Sequence, residues 1–175
     1  GKGGQWQRAL SLLGELRGAE LETTVISYNS GISACSISGQ LQHALSLLEE
    51  VLEVQLEPTV VTYSAGVSVC EVGGHWQLAL SLLRDMRSAK IKPSVVSYSA
   101  GISACDKGGQ WQRALSLFSD LQEEKLEPDL ISFGAGISAC EKGGKWQHAL
   151  TLFSGSLKAK VEPDIISYTA GISVF

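Results

Sequence analysis

The chain has 175 residues, 44% hydrophobic and 18% charged, which is enough apolar content for a sizeable core and too much for a disordered segment. No apolar run approaches the ~20 residues of a membrane span, which excludes an integral membrane protein built on such helices. A net charge of -4 and a pI near 5.4 exclude a strongly basic nucleic-acid domain, yet leave room for a neutral or basic face on an acidic body.

The length is five times 35, and one pattern recurs at that spacing. In chain order it begins with Trp6, which opens a helix-like stretch, and then meets Tyr28, Gly31 and Cys35. Leu41 follows in place of the Trp. The same phase returns as Tyr63, Gly66, Cys70 and Trp76, then as Tyr98, Gly101, Cys105 and Trp111. It returns again as Phe133, Gly136, Cys140 and Trp146, and the chain closes on Tyr168 and Gly171. Pro58, Pro93, Pro128 and Pro163 separate the copies, with Thr23 at that place in the first. A fixed period of this length means stacked supersecondary units, each too small to bury its own apolar face. The sequence starts at Gly1 and stops at Phe175, both in mid-pattern, so it reads as a fragment. The lack of a visible targeting segment then says nothing about compartment.

Each unit has two segments. In the second, Trp111, Leu115, Phe118 and Leu121 fall at helical spacing, so the bulky face is predicted to include the Trp. Gly108 and Gly109 precede this helix as a short turn, and Pro128 stops the chain after it. The first segment, 95–105, is rich in β-branched residues and Ser, which favours a strand by local propensity. The spacing of Tyr98, Ile102 and Cys105 argues for one face of a helix instead. Two helices per unit is the preferred reading, and a strand-plus-helix solenoid is the alternative. The glycine kept at one phase of every first segment suggests close backbone approach between helices. Nineteen glycines in a helical chain need such a reason.

The strings Val-Val-Thr-Tyr-Ser at 60–64, Ala-Leu-Ser-Leu-Leu at 79–83 and Lys-Pro-Ser at 92–94 resemble the pentatricopeptide repeat, in a P-type-like array. The near-identical Gly-Ile-Ser-Ala-Cys strings are similar to long arrays common in dinoflagellate algae. The resemblance covers the whole chain. It implies an all-α, right-handed α-α superhelical solenoid of helix-turn-helix units. Its phase places complete motifs at 25–59, 60–94, 95–129 and 130–164, a partial one (second helix) at 1–24 and another (first helix) at 165–175.

The resemblance implies single-stranded RNA as partner, held on the concave face with about one base per repeat. The base readers would be Asn29 with Thr59, Ser64 with Ser94, Ser99 with Asp129, and Gly134 with Asp164, with Thr169 beginning a further pair. The base-sandwiching residues would be Ile26, Val61, Val96, Ile131 and Ile166. The phosphate contacts would be Lys107 and Lys142, with Lys2 a further candidate, while Ile37 and Val72 occupy the same phase without charge. The chemistry is sensible by itself. A small polar residue one position past a buried aromatic turns away from the core, and unpaired bases expose the edges it can read. Thr59 and Ser94 depart from the Asp or Asn that the family favours, and Gly134 brings no side chain.

Plainer readings stand beside these. Thr24, Thr59, Ser94, Asp129 and Asp164 are N-cap residue types in N-cap places, and a cap can also touch a base. The four cysteines are too evenly spread for a zinc cluster and are predicted to pack in the core. The Trp residues are likewise predicted in the core. His43, His75 and His148 fall on polar faces without carboxylate company and read as solvated. No phosphate loop, nucleophile triad or paired-carboxylate site stands out, so no enzyme, no cofactor and no small-molecule substrate are expected. Glu49, Glu50, Glu53, Glu57, Glu123, Glu124 and Glu127 lie in the second helices and their exits, on the outer side. Organellar RNA processing, stability or translation follows from the family alone. The rival function is a peptide- or protein-binding solenoid like the tetratricopeptide scaffolds, and a degenerate array that has lost its target is a third.

Overall fold

The computed structural model describes residues 5–19 and 23–161. Among them are nine helices: α1 (Gln5–Gly18), α2 (Val25–Ile37), α3 (Leu41–Glu53), α4 (Val60–Val72), α5 (Trp76–Ser88), α6 (Val95–Lys107), α7 (Trp111–Glu123), α8 (Leu130–Lys142) and α9 (Trp146–Lys158). The segment with strand propensity, 95–105, lies wholly within α6. The architecture is the expected α-α solenoid.

Two layers result. The first helices α2, α4, α6 and α8 pack directly on one another in sequence, α3, α5 and α7 each pack on the two first helices beside them, and α1 and α9 pack on α2 and α8. Among the described residues no second helix approaches another along the backbone. Helices in touch on one side and spaced on the other curve the stack, so the first helices form the inner, concave wall. The second helices form the outer wall.

Tertiary burial overrides local propensity in the first helices. Tyr28, Tyr63, Tyr98 and Phe133 are buried, together with Ile32, Val67, Ile102 and Ile137. In α6 every residue from Ser97 to Asp106 is buried. The serines are tolerated because their hydroxyls bond back into the helix: Ser64, Ser68 and Ser99 each donate to the carbonyl four residues earlier, at 2.6–2.8 Å. The starts are fixed by side chains. Thr59 with Thr62, Ser94 with Ser97 and Asp129 with Ser132 form reciprocal capping boxes. Thr24 caps α2 through the Ser27 amide.

In the second helices the buried stripe of α7 is Ala114, Leu117, Phe118 and Leu121. It is rotated from the predicted stripe. Trp111 and Leu115 are only half-buried at its edge, because the helix is gripped between two first helices rather than by one. Trp146 is 50% exposed, which corrects the expectation of a core Trp. Trp76 and Trp111 lie instead against the backbone of the next inner turn, where a Cβ on Gly108 or Gly143 would run into the indole. The histidines are exposed as expected, although His43 and His148 tilt against the Trp6 and Trp111 rings.

The two kinds of turn share one device. After the first helices Gly39, Gly74, Gly109 and Gly144 take φ of 64–68°, and an amide two residues past the cap bonds back to close the turn, as from Gln110 to the Cys105 carbonyl at 2.8 Å. After the second helices the left-handed place is held by Gln55, Lys90, Lys125 and Lys160, at φ of 55–59°.

The recurring first-helix glycine serves a different approach from the one expected. What enters its space is leucine methyl, not backbone. At Gly31 an added Cβ would stand 2.6 Å from Leu13 Cδ1 and 3.0 Å from Leu47 Cδ1. At Gly101 the neighbours are Leu83 Cδ1 at 2.9 Å and Leu117 Cδ1 at 3.1 Å. Gly31, Gly66 and Gly101 thus each receive a leucine from the second helix on either side, while Gly136 receives Leu152 on one side and the Phe118 ring on the other. At Gly66 the fit is looser, with Leu48 and Leu82 both at 3.4 Å. Gly66→Ala should therefore stabilise the fold by up to ~1 kcal/mol through helix propensity. Gly101→Ala should destabilise it by about 1 kcal/mol, since overpacking outweighs that gain. Thermal melts of the two variants check this; equal shifts of the same sign would mean that the leucines do not discriminate between the sites.

Cys35, Cys70, Cys105 and Cys140 are free and buried. Burial pushes the Cys35 thiol up, and those of Cys70, Cys105 and Cys140 to about 11. At about pH 8 these thiols should alkylate roughly a hundredfold more slowly in the folded protein than in denaturant, because little thiolate forms and access is closed. Rapid labelling of the native protein by iodoacetamide would contradict the packing of the first helices.

Candidate nucleic-acid interface

The concave wall presents two rows at the 35-residue period. One row is aliphatic and exposed: Ile26 72%, Val61 56%, Val96 59% and Ile131 56%. These residues are the second of each first helix, two positions before the buried aromatic, so the helix that buries the ring turns them to solvent. Apolar side chains repeated at one phase on the open wall form an ordered row rather than scattered exposure.

The second row is polar, and the fold brings its members together in pairs. Asn29 Nδ2 donates to Thr59 Oγ1 at 3.3 Å. Ser99 Oγ donates to Asp129 Oδ1 at 2.9 Å, sharing its one proton with the Val95 carbonyl at 2.8 Å. Ser64 lies 3.5 Å from Ser94 but is engaged more closely by Ser97, at 2.7 Å. Each pair joins one first helix to the cap of the next. Gly134 lies in α8 and is half-buried, while Asp164, Ile166, Thr169 and Lys2 lie outside the described residues. Ser64 and Ser99 are buried, which corrects the expectation that this position turns wholly away from the core. They sit in the seam between consecutive first helices and bond along it.

Asp129 is the best-defined member. Its Oδ1 takes the Ser132 amide at 2.8 Å, the Ser132 hydroxyl at 2.7 Å and the Ser99 hydroxyl at 2.9 Å. Among the described residues Oδ2 carries no hydrogen bond. The cap and the pairing therefore use one oxygen and leave the other as an acceptor. Asn29 is the complement: its Oδ1 is buried with no partner among the described residues.

Between Val61 and Val96 the wall opens into a groove of about 350 Å³, with Ser64 and Ser94 at its base and Ile37 at one side. That falls within the ~300–1,000 Å³ of sites that hold small ring systems. Aliphatic side chains and Ala65 make up half of its lining, and the serines Ser33, Ser36, Ser64, Ser68 and Ser94 the other half. It can sandwich a planar ring and present hydroxyls to its edge.

The lysines are not free. Lys107 Nζ lies 3.3 Å from Glu71 Oε1, and Lys142 Nζ 2.9 Å from Asp106 Oδ1. Each of these phosphate-contact candidates is paired along the wall to an acid of the preceding first helix. The spacing of 36, one more than the period, is the signal that reveals such a pair in the sequence. The capping boxes likewise show in the sequence as Thr, Ser or Asp followed three residues on by Thr or Ser. The outer wall carries Glu49, Glu53, Glu123 and Glu124 on exposed positions, together with an ion pair of Arg87 and Asp120 at 2.8 Å. Asp120 and the Tyr98 hydroxyl both raise the Arg87 pKa from its ordinary value. Among the described residues no group of His, Cys, Asp and Glu has a geometry that would hold a metal, and no helix is long and apolar enough to cross a membrane.

The pentatricopeptide repeat domain model matches residues 11–73, 67–109, 81–143 and 116–175. No curated protein matches the chain by sequence. Among solved structures, the pentatricopeptide repeat protein PPR10 in complex with an 18-nt psaJ RNA element is 27% identical with a TM-score of 0.80, over 98% of this chain and 26% of that one. PPR10 from maize is 26% identical with a TM-score of 0.68, over 97% of this chain and 24% of that one. The chain thus spans about a quarter of PPR10. The PPR domain of Arabidopsis thaliana protein-only RNase P 1, in complex with tRNA, has a TM-score of 0.84 at 14% identity, over 98% of this chain and 90% of that one, a likeness of fold alone. With the domain model running without a gap from residue 11 to residue 175, the chain belongs to the pentatricopeptide repeat family.

Proposed function

We propose that this chain is a non-enzymatic segment that binds single-stranded RNA along the concave wall, about one base to each unit at 25–59, 60–94, 95–129 and 130–164. The observation that carries the reading is the exposed aliphatic row Ile26, Val61, Val96 and Ile131 set beside polar pairs at the same period. Aliphatic walls sandwich a base, and the pair between them reads its edge. A duplex hides those edges and is too wide for such slots, so single strands are favoured. The similar PPR10 structure, at 27% identity with RNA bound, supports the reading. Within a longer protein the segment would serve organellar RNA processing, stability or translation.

The pairs suggest an order of bases. Asn29 with Thr59 suits a pyrimidine, Ser64 with Ser94 an adenine, and Ser99 with Asp129 a guanine. Gly134 with Asp164 would favour guanine weakly. A peptide partner is the competing reading, favoured by Ile37 and Val72, which are 74% and 58% exposed on the neutral N-terminal part of the wall. Filter binding with randomised single-stranded RNA separates the two.

The Asp129 geometry gives a sharper test. Asp129→Asn keeps the Oδ1 that caps α8 and holds Ser99, and replaces the free acceptor Oδ2 with a donor. The base at this position should shift from guanine toward adenine, an effect of about 1–3 kcal/mol by analogy with base-edge readout in DNA. The fold should change by less than ~1 kcal/mol, since Asn and Asp cap helices about equally. Selection from a randomised pool with both proteins reads the result. Enrichment of the same base by both would reduce Asp129 to a cap.

A further inference from the structure

We infer that Glu71 and Asp106 are affinity-setting residues of the concave wall: each holds in an ion pair the lysine that a phosphate of the bound strand would otherwise take. This rests on the single-strand reading above.

Glu71 lies in the last turn of α4 and Lys107 in the last turn of α6, and Asp106 and Lys142 repeat the arrangement from α6 to α8. A carboxylate at a helix C-terminus faces the negative end of the macrodipole, so neither acid favours its own helix. A lysine there is favourable without help. What explains the acid is the lysine across the seam. Wherever both positions fall within the sequence the two types occur together or not at all: Ser36 stands opposite Val72, Glu71 opposite Lys107 and Asp106 opposite Lys142. The two ends of a pair differ in exposure. The Asp106 side chain is 11% exposed and that of Lys142 is 52% exposed, so the ammonium is the end open to a bound strand.

Such a pair contributes little to stability where one partner is this exposed. Its effect on a polyanion is larger. A phosphate reaching Lys142 meets an ammonium already neutralised within 2.9 Å, and must displace Asp106 or share the proton donors with it. Lysine is a flexible point charge that serves one anion well at a time. The wall therefore carries lysines at the right phase yet gives up little of their attraction. Specificity then falls more on the polar pairs and less on charge, and weak indiscriminate binding to any polyanion is suppressed.

The test uses the whole chain and labelled, randomised single-stranded RNA, with affinity measured across a salt series. Glu71→Gln and Asp106→Asn should each tighten binding about three- to fivefold at moderate salt, the equivalent of one exposed ion pair. Each should also steepen the dependence of log affinity on log salt by ~0.7, the value for one more single-strand phosphate neutralised. The gain from Asp106→Asn should vanish when Lys142→Ala is added. Unchanged or weaker binding in both variants overturns the inference, since the acids would then be inert or would aim the lysines. An equal gain with Lys142→Ala present also overturns it, because the effect would be general charge. Melting by circular dichroism shows which variants fold, and the more exposed Glu71→Gln carries the test if Asp106→Asn does not. Binding by the wild type without a gain defeats this inference alone. No binding by any of the proteins defeats the single-strand reading and the inference with it.

Discussion

In α2, α4 and α6, leucine methyls from two second helices meet in the space left by one glycine, and in α8 Leu152 and the Phe118 ring do so at Gly136. Leu13 and Leu47 do so at Gly31, and Leu83 and Leu117 at Gly101. At these two sites a Cβ would meet the methyls at 3.1 Å or less, so the leucines would have to give way. With glycine in place, the inner wall closes into a continuous row while the outer helices stay apart. The curvature of the solenoid, and the regular spacing of everything displayed on its inner wall, follow from this one vacancy repeated at a fixed phase. Gly66 shows the tolerance: there the leucines stand off by a few tenths of an ångström and the row still closes.

Closing the inner row places polar side chains in its seams, where they need partners. The chain meets the need with the groups that begin each helix. Asp129 caps α8, binds Ser132 and receives Ser99 from the helix before, all on one oxygen. Thr59 caps α4 and receives Asn29 in the same way. The hydrogen bonds that start one helix thus tie it to its predecessor and hold the pair in one geometry. Rigidity at these positions comes from the fold and needs no additional scaffold.

The helical period of Tyr98, Ile102 and Cys105 was legible in the sequence against a contrary local propensity, because burial on one face leaves a spacing that serine and valine do not disguise. The pairing of Ser99 with Asp129 was legible only through family resemblance; nothing in a separation of 30 residues announces contact. The rotated stripe of α7 was missed because Trp111, the largest side chain, drew the face toward itself. Its true neighbour is the backbone around Gly143 in the next turn, which no periodicity within α7 encodes. The lysine pairs were missed for a related reason. They join positions 36 apart in a chain read at a period of 35, so inspection of one unit at a time cannot see them. Contacts within a helix leave a pattern, and contacts across the stack leave only an offset.

A net charge of -4 argues against a polyanion partner only if charge is spread evenly, and here it is sorted. Glutamates of α3 and α7 occupy the outer wall, while the lysines of α6 and α8 reach the inner one and are balanced by single acids. The inner wall is left nearly neutral, aliphatic and finely divided. On the proposed reading, each unit then contributes a small and discriminating amount, with no strong charge to hold a wrong strand. Small contributions from one rigid frame add because the strand, once held at one slot, meets the next at high effective concentration. A wall of this kind gains affinity by length and keeps selectivity by weakness per unit. On the same reading the aliphatic row stays constant from copy to copy while the polar pairs beside it vary, so holding and reading fall to different rows.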